Sequence, residues 1–111
     1  ALSKKIIEKN IKNINKSIAY YEIAKIKQYS DVQESITYIK KSLKLRQFFS
    51  PYIKLYLELL IQNNDFNFAK KYFKKMWSEN PHPELKSITS FLAKELKIQK
   101  SDLVKYLISL N

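Results

Sequence analysis

Few residues in this chain have chemical reach. His82 is the only histidine, and it stands between Pro81 and Pro83 with Glu79 and Glu84 close by in sequence. A histidine beside a carboxylate can serve as a general base or as a metal ligand. Neither role finds its complement. The chain has no cysteine and no second histidine to complete a usual metal set, and no nucleophile or oxyanion motif accompanies the pair. The simpler reading is a capping or filling side chain in the turn that opens the next helix. Glycine is absent too, which removes every glycine-rich phosphate loop, Walker and dinucleotide types alike. No catalytic residue, metal or cofactor is expected.

Binding chemistry is better represented. Eight tyrosines, six phenylalanines and one tryptophan are interleaved with lysines, and such a mixture can stack single-stranded nucleic acid. Phe66, Phe73 and Trp77, however, recur at core periodicity and read as packing residues. Tyr20, Tyr21, Phe48, Phe49 and Tyr52 read less clearly as core, and an aromatic left at an open groove would anchor a peptide. Lys70, Lys71, Lys74 and Lys75 form a charge run that reads first as a solvated face and second as a site for an acidic partner. The net charge of +11 points to an anionic partner. A coding bias toward Lys, Ile, Asn, Tyr and Phe explains the same charge. Residues 1–46 carry 11 basic and 4 acidic side chains and residues 47–111 carry 10 and 6. That even spread favours the bias, because nucleic-acid modules concentrate their charge.

The elements that must position these residues are helical. A β-rich fold of this length would need tight turns that use glycine. Leu2, Ile6, Ile7, Ile11 and Ile14 fall on one face of a first helix, about Leu2 to Asn15, whose lysines lie largely elsewhere. Packing on the next helix, or on a preceding segment, is its expected use; lying on a membrane is the other. A second helix, about Lys16 to Gln28, carries Ala19, Ile23 and Ile26. Ser30 or Asp31 caps a third, with Ser30 and Gln33 fitting a capping box, and Val32, Ile36, Ile39 and Leu43 form its stripe. Ser50-Pro51 opens a fourth with Ile53, Tyr56, Leu57 and Leu60 inward. After Asn63-Asn64-Asp65, a fifth carries Phe66, Ala69, Phe73, Met76 and Trp77 up to the proline stop at 81–83. Sixth and seventh helices follow in 84–111, about seven in all. No apolar run reaches the ~20 residues a membrane span needs. Beginning at Ala1 rather than Met, the chain is expected to be a fragment or a processed product.

Residues 16–49 align with 50–83 at an offset of 34 residues without a gap. Ala19 falls on Ile53, Ile23 on Leu57, Ile26 on Leu60, Ser35 on Ala69, Ile39 on Phe73 and Leu43 on Trp77. This period and layout resemble the tetratricopeptide repeat. The small residues Ser35 and Ala69 sit where the two helices of a repeat cross closely. Pro81 stands where that family often ends a repeat. Neither first helix has the family's usual tryptophan or glycine, and residues 84–111 fit only as a degenerate or truncated third repeat after a leading helix at 1–15. The resemblance implies an all-α right-handed superhelix of antiparallel helix pairs.

A narrower resemblance lies in Ala69 to Leu92, AKKYFKKMWSENPHPELKSITSFL, which is similar to the C-terminal region of bacterial HemY-type proteins. Trp77, Pro81, His82, Pro83, Glu84 and Leu85 carry the match. The resemblance implies a TPR part, itself soluble, of a protein held in the bacterial inner membrane by a segment outside this chain and associated by name with haem biosynthesis. One histidine in a tight turn does not make His82 a haem ligand.

In the tetratricopeptide family the concave groove is lined by first helices. Carrying those positions over gives Tyr20, Ala24 and Lys27, then Lys54, Glu58 and Ile61. Tyr20 and Ala24 stand where a carboxylate clamp would need Lys and Asn, so binding of a chaperone tail is not expected. Tyr20, Lys27, Lys54 and Glu58 remain the candidate groove residues for a protein or peptide partner. The expected function is a protein–protein interaction scaffold and not an enzyme. The alternative is a basic helical module for RNA or anionic lipid. An apolar face left by an unpaired terminal repeat can also be covered by a second copy in a homodimer.

Overall fold

The computed structural model describes residues 2–79, and these are all-helical. Four helices follow in order: α1 Leu2–Lys27, α2 Val32–Leu45, α3 Ser50–Gln62 and α4 Phe66–Glu79. The same span was expected to hold five. The first two expected helices are one, because Asn13, Asn15 and Lys16 are polar but do not break a helix; no proline or glycine interrupts the run. The expected sixth and seventh helices, with His82, lie outside the described residues.

The chain divides into two compact units, one ending at Leu59 and the other beginning at Leu60. In the first, α1 and α2 form an antiparallel pair. A short turn joins them, and Asp31 caps α2: its backbone is extended and its carboxylate oxygen accepts the Glu34 amide at 3.1 Å. The cap is thus one residue beyond the Ser30–Gln33 box, and the Ser30 hydroxyl instead donates back to the Lys27 carbonyl at 3.5 Å.

The closest contact of the pair is small and hydroxylic. Ser35 Oγ donates to the Ala24 carbonyl at 2.6 Å, and Ser42 Oγ donates to the Ser17 carbonyl at 2.7 Å. The donors are seven residues apart on α2 and the acceptors seven apart on α1, in the opposite sense. The bonds therefore mark two levels of one close crossing, two turns apart. Ser17, Ala24, Ser35 and Ser42 are all buried, which lets the backbones approach. Each buried hydroxyl bond contributes about 1 kcal/mol, and leaving a group unpaired there would cost more. Among the described residues no buried side-chain oxygen or nitrogen lacks a partner.

This crossing sets the orientation of α1, and it differs from the face expected from its hydrophobic residues. Ala19 and Ile26 are exposed and Ile23 is only half-buried, while Ser17, Tyr20, Tyr21, Ala24, Lys27 and Gln28 face inward, fully or in part. Serine hydroxyls reaching for carbonyls demand a near backbone, and an isoleucine at the contact would hold the helices apart. On α2, Ile36, Ile39 and Leu43 of the expected stripe are buried, and Val32 is half-buried.

α3 begins at Ser50, where the Phe49 carbonyl accepts the amides of Tyr52 at 3.0 Å and Ile53 at 3.2 Å. Pro51 falls in the first turn, where its missing N–H costs no helical bond. Ile53, Tyr56, Leu57 and Leu60 are buried as expected, with Tyr52, Leu55, Leu59 and Ile61 besides. The helix ends in a Schellman motif: the Asn64 amide reaches the Ile61 carbonyl at 3.0 Å and the Asp65 amide the Leu60 carbonyl at 2.8 Å. Asn64 takes the left-handed conformation this needs, φ 63°, a place most often given to glycine and open to asparagine. Asp65 then caps α4, its carbonyl accepting the Ala69 amide at 3.0 Å. On α4, Ala69, Phe73 and Met76 are buried, whereas Phe66, expected in the core, is 40% exposed.

Candidate functional site

The first place where side chains gather is the contact of α1 with α3 inside the first unit. Ser17 Oγ donates to the Ile14 carbonyl at 2.7 Å and lies 3.0 Å from the Tyr52 hydroxyl. A serine has one proton, and the carbonyl of Ile14 can only accept it, so the Tyr52 O–H is the donor to Ser17. The Tyr52 ring meets Tyr21 at 5.0 Å and Phe49 edge-on at 4.7 Å between centroids. The Arg46 guanidinium, at the C-cap of α2, lies 3.8 Å from the Phe49 centroid and 5.9 Å from that of Tyr52. Lys25 sits over Tyr21 at 4.8 Å and pairs with Glu22 at 3.2 Å. Phe49 and Tyr52 are therefore committed to this clasp and present no open anchoring face.

Four candidate residues were carried over to a groove, and the structure places them in two groups. Tyr20 packs on Tyr38 of α2 with centroids 6.1 Å apart, and Lys41 covers both rings at 5.5 and 5.2 Å. Lys27 reaches Glu34 of α2 at 3.5 Å. Both α1 residues are thus engaged within the α1–α2 pair, as is Ala24. On α3, Lys54 and Glu58 meet one another at 3.9 Å, four residues apart on one helix face, an exposed pair worth a few tenths of a kcal/mol. Ile61 is buried. Arg46, Lys41 and Ser17 had no place in the sequence reading. The signal that would have found Ser17 is the run Ser17, Tyr21, Ala24, Gln28, in steps of four, three and four residues, which is as regular as any isoleucine stripe.

The second place is the N-terminal half of α1. With Ser42 level with Ser17, the last residue of α2, Leu45, comes level with Ile14. Leu2 to Asn13 extend beyond the end of α2, about 18 Å of helix. Residues 4–12 are all exposed, so the isoleucines expected to pack on the next helix do not pack on it. Two opposed stripes run along this overhang and on past it. Ile7, Ile11, Ile14 and Ile18 recur in steps of four, three and four, and are 52, 52, 39 and 44% exposed. Lys5, Lys9, Lys12 and Lys16 recur in the same steps and are exposed as well. Two residues separate the stripes, a rotation of roughly 200°, so they lie on opposite sides of the helix. The inward stripe of Ser17 and Ala24 is roughly a quarter-turn from the isoleucines. A shallow hollow lined by Glu8, Ile11, Lys12, Asn15, Lys16 and Ala19 has α1 alone for a wall and encloses nothing.

α4 adds exposed Phe66 and Phe68 near its start and exposed Lys71, Lys74 and Lys75 further along. Among the described residues no group of three or more His, Cys, Asp or Glu could hold a metal ion, and no helix is long and apolar enough to cross a membrane.

Comparison with family models, with curated proteins and with solved structures finds no match for this chain. Its function must be argued from its own residues.

Proposed function

We propose that this chain is a protein–protein interaction scaffold built of tetratricopeptide-like helix pairs in a right-handed superhelix, and not an enzyme. The observation that carries the reading is a burial pattern that repeats at the offset of 34 residues on the second helices. Ser35 and Ala69, Ile39 and Phe73, and Ser42 and Met76 are buried in matched pairs. Small residues recur where a repeat needs its helices close, and larger ones follow a turn later. The first helices do not share the pattern: Ala19 and Ile26 are exposed where Ile53 and Leu60 are buried. A protein or peptide partner, held at Tyr20, Lys27, Lys54 and Glu58, is the ligand this reading implies. The narrower proposal, a HemY-like part of an inner-membrane protein, rests on Trp77 and the Pro81 to Leu85 run of the sequence.

A second reading has its own observation. The lysine stripe Lys5, Lys9, Lys12 and Lys16 concentrates charge on one side of α1, as a module for RNA or anionic lipid would. One experiment separates the two: the chain as bait against a membrane extract, washed at low and high salt. A discrete protein retained at high salt supports the scaffold. Nucleic acid or lipid alone, lost as salt rises, supports the basic module. The repeat itself is tested by Ser35→Leu and Ala69→Leu, each expected to overpack its crossing and cost about 1–3 kcal/mol in urea unfolding. A neutral result at either position would break the equivalence of the two second helices.

A further inference from the structure

The isoleucine stripe of α1 has the spacing of the lysine stripe opposite it, on an apolar face. Its steps of four, three and four residues read the same from either end. They are also the steps of a two-stranded helical seam, in which apolar knobs alternate at three and four. We propose that this stripe is a self-association seam, on which a second copy of this chain docks through its own α1, antiparallel, about a two-fold axis between Lys12 and Asn13. In that arrangement Ile7 meets Ile18 of the second copy, and Ile11 meets Ile14, each twice. A two-fold interface must be complementary to itself, and a palindromic stripe satisfies that with no further device.

Charge agrees with this occupant. The two chains each carry +11, yet Lys5, Lys9, Lys12 and Lys16 point away from the seam on both copies. The residues beside it are Glu8, Asn10, Asn15 and Ser17, so no lysine faces a lysine across it. Near the ends, Lys4 comes within one residue of register with Glu22 of the second copy, opposite charges that symmetry repeats. A lipid surface is the rival occupant, since an interfacial helix carries its lysines on the polar face opposite the apolar one, but it makes no use of the end-to-end symmetry of the stripe. An acidic partner helix lying on the isoleucines would miss the same lysines. The bare faces also suit the geometry: the stripe is a quarter-turn from the Ser17–Ala24 contact, and its first half, Ile7 and Ile11, lies on the part of α1 that α2 does not reach.

The proposal does not depend on the repeat reading, because the burial period is carried by α2 and α4 and no seam residue belongs to it. Sedimentation equilibrium of the intact chain across a micromolar range tests it. The mass should rise with concentration from 13.2 kDa toward twice that value. Ile11→Glu should weaken the pairing by at least ~100-fold, since it sets two carboxylates into the seam. Its helical circular dichroism should be unchanged, because Ile11 is already half exposed. Orientation is read by disulfides, as the chain has no cysteine of its own. An equal mixture of Ile11→Cys and Ile14→Cys chains should form the mixed disulfide faster than either self-disulfide. A monomer at every concentration, a dimer indifferent to Ile11→Glu, or faster self-disulfides would overturn the proposal. So would a monomeric chain whose binding to phosphatidylglycerol vesicles, or to a foreign protein, is lost with Ile11→Glu.

Discussion

The two halves of α1 are one unbroken helix with opposite economies. From Ser17 onward it buries serine, alanine and parts of tyrosines, while Ile18 and Ile26 stay exposed. Before Ser17 it leaves isoleucines 39–52% exposed. The difference teaches that burial in this pair is decided by how closely backbones can approach. Ser35 and Ser42 bring hydroxyls that need carbonyls within hydrogen-bond reach, and only the Ser17–Ala24 face offers them. The isoleucines are left to a different surface.

Four substitutions would break or sharpen that contrast. Tyr52→Ala removes the buried ring and the O–H that Ser17 accepts, and should cost about 3–5 kcal/mol in equilibrium unfolding, the largest effect on the packed half. Ala24→Leu inserts bulk beneath the Ser35 hydroxyl and should cost about 1–3 kcal/mol; a value near zero would mean the crossing is looser than 2.6 Å contacts allow. Ser42→Ala, which deletes one rung and leaves the Ser17 carbonyl its helical bond, should cost about 1 kcal/mol. Ile11→Ser, measured dilute enough to keep chains apart, should change stability by less than about 0.5 kcal/mol. Hydrogen exchange gives the same ranking without substitution: amides of residues 6–12 should exchange much faster than those of 18–27.

The α2 stripe, the Asp31 cap and the turn at Asn63-Asn64-Asp65 were legible because hydrophobic period and cap chemistry are local signals. Ile36, Ile39 and Leu43 can face only one way, and Asp31 needs only its neighbour Glu34. The inward face of α1 was not legible. Ser17 and Ala24 carry almost no hydropathy, and what selects them is a pair of serines 25 and 11 residues away along the chain. The break placed near Asn15 failed for a related reason: polar residues mark a turn only when something also stops the helix. For the candidate site, Tyr20 and Lys27 were reachable from a family pattern. Their engagement with Tyr38, Lys41 and Glu34 depends on the rotation of α1, which that pattern does not carry. The isoleucine stripe was visible as an amphipathic face, but Ile7 and Ile11 are exposed because α2 is 14 residues long against 26 for α1, and Ile14 and Ile18 because the rotation of α1 turns them from α2.

The bonds that close the first unit are ordered by distance along the chain: Ser35 to Ala24 spans 11 residues, Ser42 to Ser17 spans 25, and Ser17 to Tyr52 spans 35. Each longer closure costs more chain entropy unless the shorter one has already drawn its ends together. Loop entropy therefore favours a sequence of events that starts at the Asp31 turn, zips α1 onto α2 toward Ser17, and fastens Tyr52 last. A chain emerging from the ribosome N-terminus first can complete the α1–α2 hairpin before α3 exists, so the close-packed serine crossing serves as the template on which Tyr52 finds its place.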